Sequence, residues 1–229
     1  MKIFNKYTWI IGMAVLATLA SCEMNDPLED LGQEVGNVPF VALSGLRDLY
    51  PAGDDMIFNI NYWSKYDDPQ SLALLMEENV VLKGSLTVDD GGGNTTVNFN
   101  NESFKTELRK VGEDINHNPL DYETALNAYN KRMVIFIDPQ FQMVSIKDAE
   151  EEALNSISDV ARSEDIRSAI ISKLESVGVQ TSWAELSDII TEIDLAVEST
   201  LGLKIRVYNT AGRYNETTLR NVTVGSLAE

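Results

Sequence analysis

The spacing of apolar residues changes twice along this 229-residue chain, and the change limits the folds open to it. Over residues 38–146 apolar side chains recur at every second position, which predicts half-buried β-strands. Over residues 147–200 the spacing approaches 3.6 residues, which predicts amphipathic helices. From Leu203 onward the alternation returns. The chain is therefore expected to be mainly β, with a helical block between late strands.

The alternation predicts three features of the first zone. Residues 56–63 form one strand, and residues 80–100 form a hairpin around the glycine-rich loop at 89–94. Residues 133–137 form a strand that ends before Pro139 and is covered on both faces, because all five residues are apolar.

Two apolar stripes predict helices in the second zone. The first ends at Gly178 and comprises Ile166, Ile170, Ile171, Leu174 and Val177. The second starts at a Ser182/Glu185 capping box and comprises Trp183, Leu186, Ile189, Ile190, Ile193 and Val197. A weaker start at Asp148 and Glu151 predicts a third helix over residues 148–161.

The two C-terminal strands determine the domain organisation. A lone hairpin is marginal in water, so these strands are expected to join the N-terminal strands in one sheet. Residues 37–229 then form a single sandwich with a helical insertion at 147–200, although a separate helical domain is the alternative. The run at 205–216, Ile-Arg-Val-Tyr-Asn-Thr-Ala-Gly-Arg-Tyr-Asn-Glu, resembles the closing hairpin of bacterial immunoglobulin-like and fibronectin type III-like domains. The resemblance implies an immunoglobulin-like β-sandwich.

The N-terminal residues resemble an export signal. Lys2 and Lys6 precede an uncharged apolar run over residues 7–20, which matches a secretory signal and is too short to span a bilayer. The following Leu19-Ala20-Ser21-Cys22 resembles the lipobox of bacterial lipoproteins. The resemblance implies that residues 1–21 are a signal peptide and that Cys22, the lone cysteine, carries diacylglycerol and palmitate.

Net charge limits the partners of the exported chain. Lys and Arg number 18 against 36 Asp and Glu, a net charge of −18, which repels nucleic acid. Loss of residues 1–21 removes two lysines and no acid, so the charge becomes −20. Anionic lipid cannot hold such a surface, and the acyl chains on Cys22 are the expected attachment to outer-membrane lipid.

Residues 22–36 are acidic and contain a proline, which predicts a flexible linker from the lipidated cysteine. The segment at 23–30 resembles the export signal of surface lipoproteins encoded in starch-utilisation-system (Sus) type loci of gut bacteria. The resemblance implies an outer-membrane protein that faces the cell exterior, with the periplasmic face as the alternative. It also implies a TonB-dependent transporter and its lid lipoprotein as partners, and a glycan or oligopeptide as cargo.

Few residues of the sequence suggest catalysis or metal binding. One histidine and one cysteine leave little for a metal centre or a catalytic triad, so no catalytic residue, metal or cofactor is predicted. Asp89 and Asp90 in the glycine loop are weak candidates for calcium ligands. The alternative, which the sequence favours, is that they only form the turn. A second acidic loop begins like an EF-hand with Asp114, Asn116 and Asn118, but Pro119 and Ala125 occupy its turn and bidentate-glutamate positions. His117 in that loop is expected to be solvated.

One aromatic group suggests binding. Strand alternation places Trp63 on the outward face with Asn59 and Asn61, and turns Tyr62 inward. Trp63, with Asn61 and Tyr66 beside it, is the predicted contact for a sugar ring or a partner protein.

These observations favour a non-enzymatic surface lipoprotein that serves as an accessory subunit of a nutrient-uptake complex. The alternative is a structural or adhesin-type surface subunit that uses the same sandwich for assembly. A degenerate hydrolase is the third interpretation, because acidic residues are abundant enough to supply a carboxylate pair for glycoside hydrolysis, although no pair stands out.

Replacement of Cys22 by Ala tests the tether. We expect the variant to leave the membrane fraction, because acyl chains are the one predicted attachment of this acidic chain. Fractionation followed by a high-salt wash measures it, and a variant that stays with the membrane after the wash contradicts the tether.

Overall fold

The computed structural model describes residues 38–147 and 154–227. Its strands are β1 (Phe40–Ser44), β2 (Leu49–Ala52), β3 (Asp55–Trp63), β4 (Pro69–Asp89), β5 (Asn94–Lys105), β6 (Arg109–Lys110), β7 (Ile115–Asn116), β8 (Tyr122–Glu123), β9 (Ala128–Phe136), β10 (Val144–Ile146), β11 (Ile190–Asn209), β12 (Tyr214–Glu216) and β13 (Arg220–Leu227). Within residues 154–189 the helices are α1 (Ser163–Ser176) and α2 (Leu186–Ile189), and Leu154 and Asn155 are also helical. Short 3-10 turns cover Pro119–Asp121, Pro139–Phe141 and Ser156–Asp159.

The strands form two sheets. The smaller has the order β1-β3-β9-β8, and the larger runs β2-β13-β11-β4-β5 with short strands added along β4 and β11. The smaller sheet corresponds to the A-B-E-D sheet of the immunoglobulin arrangement. The larger sheet corresponds to its G-F-C sheet, in which β13 is strand G, β11 is strand F and β4 is strand C. The predicted immunoglobulin-like sandwich is confirmed, and so is the return of the C-terminal strands to the sheet of the N-terminal ones.

Two unusually long strands organise the larger sheet. β4 has 21 residues and β11 has 20, and they pair antiparallel from Pro69 opposite Asn209 to Val88 opposite Ile190. At about 3.3 Å per residue the pair extends roughly 65 Å, whereas the nine residues of β3 extend about 30 Å. The small sheet is therefore long enough to cover only about half of the pair.

The other half is covered by the helical block. One core lies between the sheets and contains Phe58, Ile60, Leu74, Leu203 and Ile205. The second core lies under α1 and contains Ile166, Ile170, Leu174, Leu82, Leu86, Leu195 and Val197. Both cores use the same face of β4 and β11, because all their members from each strand lie an even number of residues apart.

α1 forms where the first stripe predicted it. Ile166, Ile170 and Leu174 are buried on one side of the helix. Gly178 follows with φ of +93°, and the backbone N–H of Val179 donates to the carbonyl of Leu174 at 3.1 Å, which closes the C-terminal turn. Val177, by contrast, lies outside the buried stripe and is 49% exposed.

The second predicted helix is wrong beyond its first turn. Only Leu186–Ile189 is helical, and the chain extends from Ile190, so the helical insertion ends before residue 190 and not at Thr200. Within β11 the buried residues follow period two: Ile193, Leu195, Val197, Ser199, Leu201, Leu203, Ile205 and Val207. Pairing with β4 decided the conformation of a segment whose apolar residues fit both periods.

Two further expectations need revision. The strand expected at residues 133–137 is present as the end of β9, which stops at Phe136, but it is covered on one face only, since Val134 is 53% and Phe136 63% exposed. Of the helix expected at residues 148–161, residues 148–153 lie outside the described residues, Leu154 and Asn155 are helical, and Ser156–Asp159 is a 3-10 turn. The hairpin at 80–100 is confirmed by the pairing of β4 with β5.

Replacement of Ile170 by Ala tests the cover that α1 provides. The side chain is fully buried in the second core, so we expect a loss of about 2–5 kcal/mol in the free energy of unfolding. Val177→Ala near the end of α1 is the matched control, with an expected change of roughly 0.5 kcal/mol or less. Urea denaturation measures both, and equal losses contradict the packing.

Candidate functional site

The small sheet presents one side to solvent, which we call the outer face. It consists of alternate residues of β1, β3 and β9. Five large apolar side chains lie on it with exposed fractions from 39% to 63%: Phe40, Ile57, Trp63, Val134 and Phe136. Soluble proteins rarely leave such a set on one surface without a binding role.

Trp63 lies at one end of the outer face. The register places Phe40 of β1 directly opposite Trp63, and the two rings stack with centroids 3.8 Å apart and an interplanar angle of 24°. Trp63 is 39% exposed, whereas Tyr62 is fully buried. The predicted orientations of both residues are confirmed, and the stack fixes the indole in one position.

Amides and a cation occupy the middle of the outer face. The Asn61 side-chain amide donates to Ser44 Oγ at 2.9 Å, and its Oδ1 has no partner among the described residues although it is buried. The Asn130 amide donates to Glu123 Oε1 at 2.8 Å. Arg132 is exposed and lies opposite Asn59. A polar band therefore separates the Phe40–Trp63 stack from the Ile57, Val134 and Phe136 cluster.

Tyr66 does not belong to the outer face. It lies in the loop after β3 with 62% of its surface exposed, and Lys65 Nζ is 5.2 Å from its ring centroid. Among the described residues, no ring contact joins it to Trp63. Of the three predicted binding residues, the structure places Trp63 and Asn61 on one face and leaves Tyr66 beyond it.

The weak calcium candidates serve as turn residues. Asp89 Oδ1 accepts the N–H of Gly91 at 2.9 Å, and Asp90 Oδ1 accepts the N–H of Gly92 at 3.0 Å. In the second loop, Asp114 pairs with Lys110 at 3.0 Å and Asn118 caps a 3-10 turn. Within residues 38–147 and 154–227, no three acidic, histidine or cysteine side chains are grouped to hold a metal ion.

A polar aromatic cluster was missed by the sequence analysis. His117 is not a solvated loop residue: its Nδ1 lies 3.1 Å from the buried Tyr62 hydroxyl, and its ring packs edge-on against Tyr129 with centroids 4.3 Å apart. The loop is held in place because the His117 N–H donates to the Gln70 carbonyl at 2.8 Å. Tyr62 and His117 are 55 residues apart, and the one local signal was the inward position of Tyr62.

Burial shifts the pKa values of both His117 and Tyr62. Desolvation lowers the pKa of His117, against the opposing attraction of Asp121 and Asp68. Desolvation, with Asp121 and Tyr129 nearby, raises the pKa of Tyr62 to about 12. The Tyr62 hydroxyl therefore stays protonated at neutral pH and shares a hydrogen bond with the Nδ1 of His117.

A charged network lies on the other sheet. Glu216 accepts from Lys204 at 2.7 Å and from Arg206 at 2.9 Å. Hydrogen bonds from Lys204 and then Arg206 lower the pKa of Glu216. These partners leave the carboxylate neutralised and aligned along the β11–β12 hairpin, where the N–H of Arg213 donates to Asn209 Oδ1 at 2.9 Å and closes the turn.

Comparison with known proteins finds only distant similarity. No protein-family model matches the chain, and no curated protein matches its sequence. Among solved structures it is similar to the sporulation control protein Spo0M of Bacillus subtilis, at 8% identity and a TM-score of 0.25, over 82% of this chain and 50% of that one. It is also similar to a beta-glucosidase from Listeria innocua, at 8% identity and a TM-score of 0.24, over 84% of this chain and 17% of that one. TM-scores this low do not define a shared fold.

No helix within residues 38–147 and 154–227 is long and apolar enough to cross a bilayer.

The His117 contact predicts a pH dependence of stability. Since the folded pKa lies below the unfolded value of 6.5, the unfolded chain binds more protons between the two, and stability falls as pH decreases through that interval. We expect His117→Gln to lose less stability than the wild type between pH 7.5 and pH 5, as measured by urea denaturation at each pH. The acidic residues are common to both proteins, so parallel pH profiles contradict the assignment.

Proposed function

We propose that the chain is a non-enzymatic lipoprotein, anchored in the outer membrane through Cys22 and facing the cell exterior. In this proposal it is an accessory subunit of a TonB-dependent nutrient-uptake complex for glycans or oligopeptides, and it docks on its partner through the outer face. The anchor and the setting are supported by the lipobox-like Leu19-Ala20-Ser21-Cys22 and by the acidic segment after it.

The observation that carries the proposal is the set of exposed apolar side chains on the outer face. Phe40, Trp63, Ile57, Val134 and Phe136 lie on neighbouring strands of one sheet and leave 39–63% of their surfaces in water. Exposed apolar groups interleaved with polar ones are typical of protein–protein contacts, and aromatic residues are enriched in the centres of such contacts.

The stacked pair suits an anchor position. Trp63 is held against Phe40 at 3.8 Å, so it loses little side-chain freedom when a partner covers it. The amides of Asn61 and Asn130 and the guanidinium of Arg132 supply hydrogen-bond donors beside it. A rigid aromatic group with polar neighbours is the usual composition of a binding hot spot.

The spacing between anchor and domain is compatible with this role. Fifteen residues separate Cys22 from Val38. At about 3.3–3.6 Å per residue they span at most roughly 50 Å, so the domain remains within reach of a partner embedded in the same membrane.

Trp63→Ala tests the outer face. We expect a loss of about 2 kcal/mol in binding, roughly thirtyfold in affinity, because the variant removes the anchor. The cost in stability is expected near 1 kcal/mol, the usual value of an aromatic pair, since Trp63 is half-buried. Retention of a transporter during copurification from detergent-solubilised outer membrane measures binding, and a melting curve measures stability.

Tyr214→Ala is the matched control. Tyr214 is an aromatic residue with 48% exposure on β12 of the other sheet, so its loss should leave copurification unchanged. A loss of 3–5 kcal/mol in stability for Trp63→Ala, with unchanged retention, contradicts the proposal. Recovery of the wild type in self-assembled fibres without a transporter favours the structural or adhesin alternative.

A further inference from the structure

A cleft opens at the free edge of the small sheet. Its volume is about 410 Å³, within the range of ligand-binding clefts. Three successive residues of β1, Val41, Ala42 and Leu43, form one wall. The opposite wall comes from the segment that joins β12 to β13 and comprises Glu216, Thr217, Thr218 and Arg220.

The β1 wall is a strand edge. Side chains of a strand alternate between its faces, so three consecutive residues line one cleft only along the backbone. In the described part of the chain, β1 pairs with β3 on one side and has no strand on the other, and no backbone hydrogen bond crosses from it to the opposite wall. Its N–H and C=O groups on the cleft side are therefore available to a further strand.

The opposite wall has one available charge. Glu216 is neutralised by Lys204 and Arg206. Arg220 is exposed, and within the described residues its side chain makes no ion pair or hydrogen bond. A planar guanidinium with free donors is suited to a carboxylate, which it binds through two parallel hydrogen bonds.

We propose that this cleft binds an extended peptide segment of a partner protein, which adds as a strand to the free edge of β1 and places a carboxylate against Arg220. Main-chain hydrogen bonds supply affinity in this mode of recognition, and the charge contact selects acidic sequences. The inference rests on the β1 edge and not on the outer face, so it goes beyond the function proposed above.

The probe is the peptide Thr-Val-Thr-Glu-Val-Thr, acetylated and amidated at its ends, titrated into the isotope-labelled mature chain carrying Cys22→Ala. We expect amide shifts confined to β1 and to residues 216–220. A peptide with Lys in place of Glu, and one N-methylated at alternate residues, should each bind about tenfold more weakly.

Variants of the far wall separate the contacts. Arg220→Glu should weaken binding about tenfold or more, and Thr218→Trp, at an exposed position with room to fill the cleft, should abolish it. Arg109→Glu is the control for charge reversal, since Arg109 is 68% exposed and lies on β6. Melting curves verify that each variant is folded.

Three results would overturn the inference: no shifts at about 1 mM peptide, equal affinity for the Glu and Lys peptides, or an unchanged affinity in Arg220→Glu. Concentration-dependent dimers with protected β1 amides would assign the edge to a second copy instead. Trp63→Ala should leave peptide affinity unchanged, so a failure of the outer-face proposal is distinguishable from a failure here.

Discussion

The pairing of β4 with β11 is the interaction on which the rest of the structure depends. Their register is continuous over most of some 20 residues, and both strands turn the same alternate positions to one side. The result is an apolar surface roughly 65 Å long, which is unstable in water unless it is covered along its whole length. Gly84 allows the approach of the two strands, since a Cβ there would lie 1.9 Å from the carbonyl oxygen of Asp194.

The two covers of that surface have different consequences. α1 buries a stripe of aliphatic residues and turns charged side chains outward, so its half of the molecule presents an ordinary polar surface. The small sheet also has a second side that the core does not constrain, and this side carries the Phe40–Trp63 stack. Its terminal strand β1 has a free edge as well. The proposed binding surfaces thus both lie on the sheet that covers the first core.

How much was predictable depends on how far apart the interacting residues are. The stripe of α1 and its glycine stop are local, and both were predicted. The segment at 183–197 was not, because its apolar residues fit a helix while Leu195, between Ile193 and Val197, also fits a strand. Only the presence of β4 alongside selected the extended form. The outward position of Trp63 followed from alternation, whereas its contact with Phe40 required the register of β1 on β3.

The sequence by itself determined which side chains of β3 and of the β4–β5 hairpin face the core, because alternation is a property of the strand alone. It also determined the net charge and the position of the single cysteine. The tertiary structure alone decided which residues come together: Tyr62 contacts His117, Asn61 contacts Ser44, and the edge of β1 shares a cleft with Arg220. These partners are separated by at least 17 residues, and no local period encodes the register and chain path that bring them together.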